Sequence, residues 1–170
     1  AAQCAYAGAK VIISSRKINA CEETANEINN KVGDEVAFPI QANIGDKTQL
    51  ENLVNETRDK IGKIDVLVCN AATNPFLGSS LDIPEEAFDK IINNNIKSNH
   101  LLANLVLPEM IERQDGVIII ISSISGFKGN EILGTYAMTK AADMALARNL
   151  AVEFGKHNIR SNTIAPGLIK

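Results

Sequence analysis

Apolar residues along the chain fall into two alternating rhythms: short unbroken runs, and stretches where they recur every three or four positions. Residues 1–7 have the pattern of the last turns of a helix, which Gly8 can close. Residues 10–15 (KVIISS) form a short apolar run suited to a buried parallel strand. Residues 18–31 are amphipathic and predict a helix ending near Gly33, and residues 35–42 (EVAFPIQA) predict a second strand. Asp46 can cap a helix running to Ile61, with Leu50, Leu53, Val54 and Ile61 on one face. Residues 64–69 (IDVLVC) predict a third strand, followed by a loop over residues 70–83 rich in Asn, Pro, Gly and Ser. Pro84 opens a long helix, at a position where its missing N–H costs nothing. Residues 116–122 (GVIIIIS), an Ala-rich helix over 136–155 and a strand over 159–164 complete the series.

Strands alternating with helices of this length imply βαβ units, a parallel sheet and right-handed crossovers. No repeat, low-complexity stretch or internal linker interrupts the series. The expectation is therefore an α/β, doubly wound parallel sheet of the Rossmann type, in one domain over residues 1–170. Ligands of such sheets bind beyond the carboxyl ends of the strands, so the residues just after each strand are the candidates for chemistry.

Composition narrows the class. At 45% apolar and 22% charged residues the chain reads as an ordinary globular protein. The net charge of −3 argues against a nucleic-acid or anionic-membrane partner. The apolar run over residues 117–121 is far too short to cross a bilayer. Cys4, Cys21 and Cys69 stand far apart with no CxxC spacing, which favours free thiols in a reducing, cytoplasmic compartment. No signal peptide is visible, although the N-terminus reads as incomplete, so organelle targeting stays open. His100 and His157 have no ligand spacing with acids or cysteines, so no metal site is expected.

The strand ends carry the candidate chemistry. At the first, Ser15 stands where a dinucleotide fold would place an acid for the ribose 2′-OH, and Arg16 follows. A guanidinium suits a 2′-phosphate, but locally Arg16 reads equally well as a solvated arginine. Asn43 follows the second strand and Asn70, Ala71 and Ala72 the third. Small residues there let a backbone approach a ligand, and Asn70 can hold a turn. Asn95 falls on the apolar face of the long helix, where a buried amide must be satisfied. It could brace a kinked backbone or hold a water. Ser123 ends the fourth strand. Tyr136 and Lys140 stack on one helix face, one turn apart. An ammonium so placed favours the phenolate, as an acid/base for alcohol chemistry requires. Alone, Tyr-x-x-x-Lys is an ordinary surface pair; what counts is that Ser123 and Tyr136 map to one end of one sheet, where Asn95 can also reach.

Ser123, then Tyr136-Ala137-Met138-Thr139-Lys140, then Ile159-Arg160-Ser161-Asn162 and Pro166-Gly167 form an ordered set. Over essentially the whole chain this set resembles the short-chain dehydrogenase/reductase family. Cys69-Asn70-Ala71-Ala72 is similar to the family's Asn-Asn-Ala-Gly turn, and Asn95-Ile96-Lys97 to its active-site Asn segment. The thirteen-residue step from Ser123 to Tyr136 fits as well. The loop over residues 70–76 and the ending over 165–170 resemble NADP-dependent carbonyl and retinal reductases. Three departures stand out. Cys69 and Ala72 replace the outer Asn and Gly of the turn. Asn43 replaces an Asp that meets the adenine. The family's first strand and glycine-rich phosphate loop, about 20 residues, precede the point where this chain begins, and its substrate loop, last strand and helix are also missing.

The resemblance implies hydride transfer between NADP(H) and a carbonyl or alcohol substrate of ketone, aldehyde or retinoid type. Tyr136 would exchange the proton, Lys140 would support it and bond the nicotinamide ribose, Ser123 would hold the carbonyl oxygen, and Asn95 would position a water. Cofactor contacts would come from Ser15, Arg16, Asn43, Asn70, Ala71, Ala72, Tyr136, Lys140, Pro166 and Gly167. The family commonly assembles as homodimers or homotetramers. Rival readings are a 3-oxoacyl-acyl-carrier-protein reductase, an NAD-linked alcohol dehydrogenase and a non-catalytic fragment or binding scaffold.

Overall fold

The computed structural model describes residues 1–169. They fall into two compact units, the first ending at Lys63 and the second starting at Ile64.

In the first unit, α1 (Ala2–Tyr6) leads to β1 (Val11–Ser15), α2 (Ile18–Val32), β2 (Ala37–Gln41) and α3 (Lys47–Ile61). β1 and β2 run parallel, with Val11 opposite Ala37 and Ser15 opposite Gln41. Gly8 closes α1 as expected: its φ of +93° is a conformation that side chains resist. Gly33 does the same after α2, at φ +80°. The Asp46 carboxylate accepts from the Gln49 backbone N–H at 3.2 Å, which caps α3 and holds the carboxyl below its ordinary range. Ala5, Ala25, Ile28 and Ala37 form a small buried cluster, and Asn29 of α2 bonds the backbone of Val36 and Ala37, fixing helix to strand.

The second unit contains β3 (Val66–Cys69), α4 (Glu85–Ile92), a π-helical turn (Asn93–Lys97), α5 (Ser98–Arg113), β4 (Gly116–Ile121), a 3₁₀ turn (Ile124–Phe127), α6 (Gly134–Phe154), a further 3₁₀ turn (Gly155–His157) and β5 (Ile159–Ile164). Its sheet is parallel in the order β3-β4-β5. Ile118 and Ile120 of the central β4 are fully buried, as are Ala103, Val106 and Met110 of α5, whereas Val66 and Val68 on the edge strand are half exposed. The alternation of strand and helix in both units is the α/β architecture that the apolar rhythm implied.

The long helix opened by Pro84 departs from its expected regularity. It reaches α5 only through the π-helical turn at residues 93–97. A wider turn rotates everything after it relative to everything before, and such turns gather at functional sites. Along this interrupted helix Phe88 is 38% exposed, whereas Asn95 is wholly buried on the apolar face, as its position implied. The Ala-rich helix starts two residues earlier than the pattern suggested, at Gly134, so Tyr136 sits inside its first turn. Among the described residues no helix is long and apolar enough to cross a membrane, and no three His, Cys, Asp or Glu side chains gather where they could hold a metal ion.

Candidate active site

Tyr136 is half-buried near the start of α6, and the Lys140 ammonium one turn on lies 5.7 Å from the centre of its ring. Lys140 is only 3% exposed. Its Nζ donates to the Ile121 carbonyl at the end of β4 (2.7 Å) and to Oδ2 of Asp143 (2.9 Å). Oδ1 of Asp143 accepts from Nδ2 of Asn99 at 2.9 Å. Burial pushes the Asp143 carboxyl upward, opposed by the Lys140 ammonium and the Asn99 amide.

Asn95 is satisfied on every side the π-helical turn presents. Its Oδ1 accepts from Thr73 N–H (2.8 Å), and its Nδ2 donates to the Thr73 carbonyl (2.9 Å) and to Oγ1 of Thr139 (3.2 Å). Thr139 in turn donates to the carbonyl of Tyr136 at 2.8 Å. The Asn95 carbonyl accepts from Asn99 at 2.8 Å. Of the two roles open to this amide, the side chain performs the bracing one: it clamps the loop after β3 to the helix turn that carries Tyr136.

Ser123 follows β4 directly, and its Oγ accepts from the Ser125 N–H at 3.1 Å as the cap of the 3₁₀ turn. The neighbouring Ser122 is buried and donates to the Lys140 carbonyl at 2.6 Å. Pro166 and Gly167 follow β5, where the Pro166 carbonyl accepts from Ile124 N–H at 3.0 Å. Asn70, Ala71 and Ala72 are exposed after β3. Thus Tyr136, Lys140 and Asn95 share one network of contacts through Thr139 and the Tyr136 ring, and Ser123 stands with the residues after β3, β4 and β5 at the carboxyl ends of one sheet. The thiol of Cys69, at the end of β3, is pushed up to about 12 by burial and by Asp143, with Lys140 opposing.

In the first unit Arg16 and Lys17 are exposed beside an open depression also lined by Ile18, Asn19, Ala20, Glu23 and Gln41. Ser15 Oγ accepts from Lys17 N–H (3.2 Å) and lies 3.1 Å from the Cys21 sulfur, so it shapes the turn that presents Arg16. The Asn43 side chain accepts from Gly45 N–H at 3.1 Å and holds its own loop.

Four supporting residues escaped the sequence reading. Asn99 and Asp143 lie four and three residues after Asn95 and Lys140, a helical spacing that could have flagged them. Thr139 and Gly126 carried no local signal. Gly126 matters because a β-carbon there would lie 2.8 Å from the Lys140 carbonyl carbon.

The short chain dehydrogenase family matches residues 1–170. Dehydrogenase/reductase SDR family member 4 of Bos taurus is 39% identical over 96% of this chain, and the human mitochondrial family member 2 is 38% identical over 96%. The chain spans 58% and 57% of their respective lengths. Among solved structures, levodione reductase superposes with a TM-score of 0.93 at 28% identity, covering 98% of this chain and 64% of that one. The putative short-chain alcohol dehydrogenase of Sinorhizobium meliloti 1021 gives 0.93 at 28% identity, covering 100% and 66%. With its parallel α/β sheet and its ordered strand-end residues, the chain belongs to the short-chain dehydrogenase/reductase family of oxidoreductases.

Proposed function

We propose that residues 1–170 serve as the dinucleotide-binding domain of an NADP(H)-dependent carbonyl reductase, with Tyr136 as its proton donor. The observation that carries the reading is the placement of Tyr136 in the first turn of α6, with the buried Lys140 ammonium 5.7 Å from its ring and Ser123 at the adjoining strand end. The names of the similar proteins, dehydrogenase/reductase and levodione reductase, agree with hydride chemistry.

The residues present fit the cofactor. In the first unit, two exposed cations, Arg16 and Lys17, and the Gln41 amide border an open depression with one carboxylate, Glu23. That donor set suits the 2′-phosphate of NADP(H), and Ser15 offers no carboxylate to repel it. In the second unit, Lys140 has a third N–H beyond the two already engaged, available for a ribose hydroxyl. NADPH, when bound, supplies the hydride that reduces the carbonyl carbon.

The chain's own groups do the rest. Ser123 Oγ donates to the carbonyl oxygen and orients it. Tyr136 gives its phenolic proton to that oxygen as the alkoxide develops, and the Lys140 ammonium stabilises the phenolate left behind. Asn95 holds the loop at Thr73 against the same turn of helix. Oxidation of an alcohol runs these steps in reverse. The substrate class we infer is a ketone, aldehyde or retinoid; Leu81, Phe127 and Ile132, all in the same unit, are exposed apolar side chains. The proposed assembly is a homodimer or homotetramer through the long helix and α6.

The test is carbonyl-dependent consumption of NADPH by the intact protein with ketones, aldehydes and retinal, alongside a 3-oxoacyl thioester. Turnover of free carbonyls supports the reading. Activity confined to the thioester, or none with any carbonyl, overturns it.

A further inference from the structure

Lys140 and Asp143 are 3% and 1% exposed, so the whole ion pair is out of water. Asp143 occupies a buried side of α6 where Thr139 and Lys140 are the other polar groups among Ala137, Met144, Ala147 and Leu150. A carboxylate there is not explained by stability, because apolar residues can often replace a buried pair without loss. Yet both its oxygens are engaged, Oδ2 by Lys140 and Oδ1 by Asn99, each at 2.9 Å. Asn99 is itself steered by its second bond to the Asn95 carbonyl, on the π-helical turn. The ammonium is therefore gripped from two sides, by Asp143 and by the end of β4 at Ile121.

We propose that Asp143, oriented by Asn99, is a positioning residue for Lys140: it fixes the ammonium at the Ile121 carbonyl and so fixes where the remaining N–H points. The inference rests on the proposed roles of Tyr136 and Lys140. Among the described residues, the groups acting on Asp143 are Lys140 on its own helix and the uncharged Asn99 of α5, while Cys69 at the end of β3 feels both charges. Burial raises Asp143, so protonation, which releases Lys140, sets in above the ordinary carboxylate range as pH falls.

The experiment compares the intact protein with Asp143→Asn and Asn99→Ala. Lys140 acylation by a succinimidyl ester is followed by peptide mass spectrometry, with circular dichroism to confirm that the helices persist. NADPH affinity and kcat are then measured against pH. Loss of a charge-assisted bond should speed Lys140 acylation about tenfold in Asp143→Asn and raise KM for NADPH by a similar factor, with a smaller change in kcat. The acid limb of the wild-type profile should disappear in Asp143→Asn. Asn99→Ala should change acylation in the same direction but less, and it carries the measurement if Asp143→Asn does not fold. Unchanged acylation overturns the proposal whether or not the protein reduces a carbonyl. Faster acylation with the acid limb intact overturns it too. Faster acylation in a protein that never uses NADPH supports the anchoring of Lys140 and refutes the reductase reading instead.

Discussion

Gly126 passes so close to Lys140 that a β-carbon on the glycine would lie 2.8 Å from the lysine's carbonyl carbon and 3.0 Å from its oxygen. The 3₁₀ turn after Ser123 is thereby seated directly on the helix that carries Tyr136. The obstacle is helix backbone, which cannot swing aside as a flexible side chain would. Gly126→Ala should destabilise the protein by about 1–3 kcal/mol, as other overpacking substitutions do. Thermal unfolding checks it, at about 2–4 °C of Tm per kcal/mol for a chain of this size. An unchanged Tm would mean that the turn lifts away freely.

Tyr136 is the proposed proton donor, and its phenol has no substitute in the described network. Tyr136→Phe in the intact protein should lower kcat for carbonyl reduction by a factor of about 100 or more, since general acid catalysis contributes on that scale. NADPH binding, followed by cofactor fluorescence, should survive. A Phe variant that keeps most of its turnover contradicts the assignment.

Arg16 stands exposed beside its depression, next to Lys17. A hydrogen bond to a charged group contributes about 1.5–3 kcal/mol, which corresponds to roughly a ten- to hundredfold preference for NADPH over NADH. Comparing kcat/KM for both cofactors in wild type and Arg16→Ala isolates the phosphate. NADPH use should fall while NADH use stays nearly level. Equal losses with both cofactors would remove the phosphate from the account.

Cys69 yields a prediction about pH. Burial, with Asp143 adding to it against Lys140, pushes its thiol up to about 12 from an ordinary value of 9.0. A raised acid favours the folded state while the unfolded thiol stays protonated, and that advantage disappears as pH climbs through this interval. Stability measured by urea unfolding should therefore decline above about pH 9, and Cys69→Ser should weaken that decline. At neutral pH iodoacetamide should label the exposed Cys4 and spare Cys69. Rapid alkylation of Cys69 in the folded protein would show that its thiol is not held neutral.

Much of the fold was legible because local rules decide it. Residues 10–15 and 116–122 are short apolar runs of the kind that parallel strands require, and both form strands. Gly8, Gly33 and Asp46 end or begin helices through backbone conformation and a side-chain cap, which need no distant partner. The ladders start a residue or two inside the apolar runs at β2 and β3, because pairing, not apolarity, sets a strand's ends. The family was legible for a related reason: Ser123, Tyr136 and Lys140 keep a fixed order and spacing along the chain.

What the sequence by itself determined, then, is the order of elements, their caps, the family and the residues lined up at the strand ends. Only the tertiary structure decided what those residues touch. The π-helical turn at Asn93–Lys97 breaks the regular period on which helical spacing depends, so the clamp of Asn95 on Thr73, 22 residues away, was out of reach of any periodic reading. Asn99 and Asp143 lie on different helices, 44 residues apart, and meet at 2.9 Å only because α5 and α6 pack in one unit. Local spacing fixes which side chains share a helix face. A buried charge, by contrast, is satisfied by whatever the fold brings to it, and for Lys140 that is a carboxylate, a strand-end carbonyl and an amide behind the carboxylate.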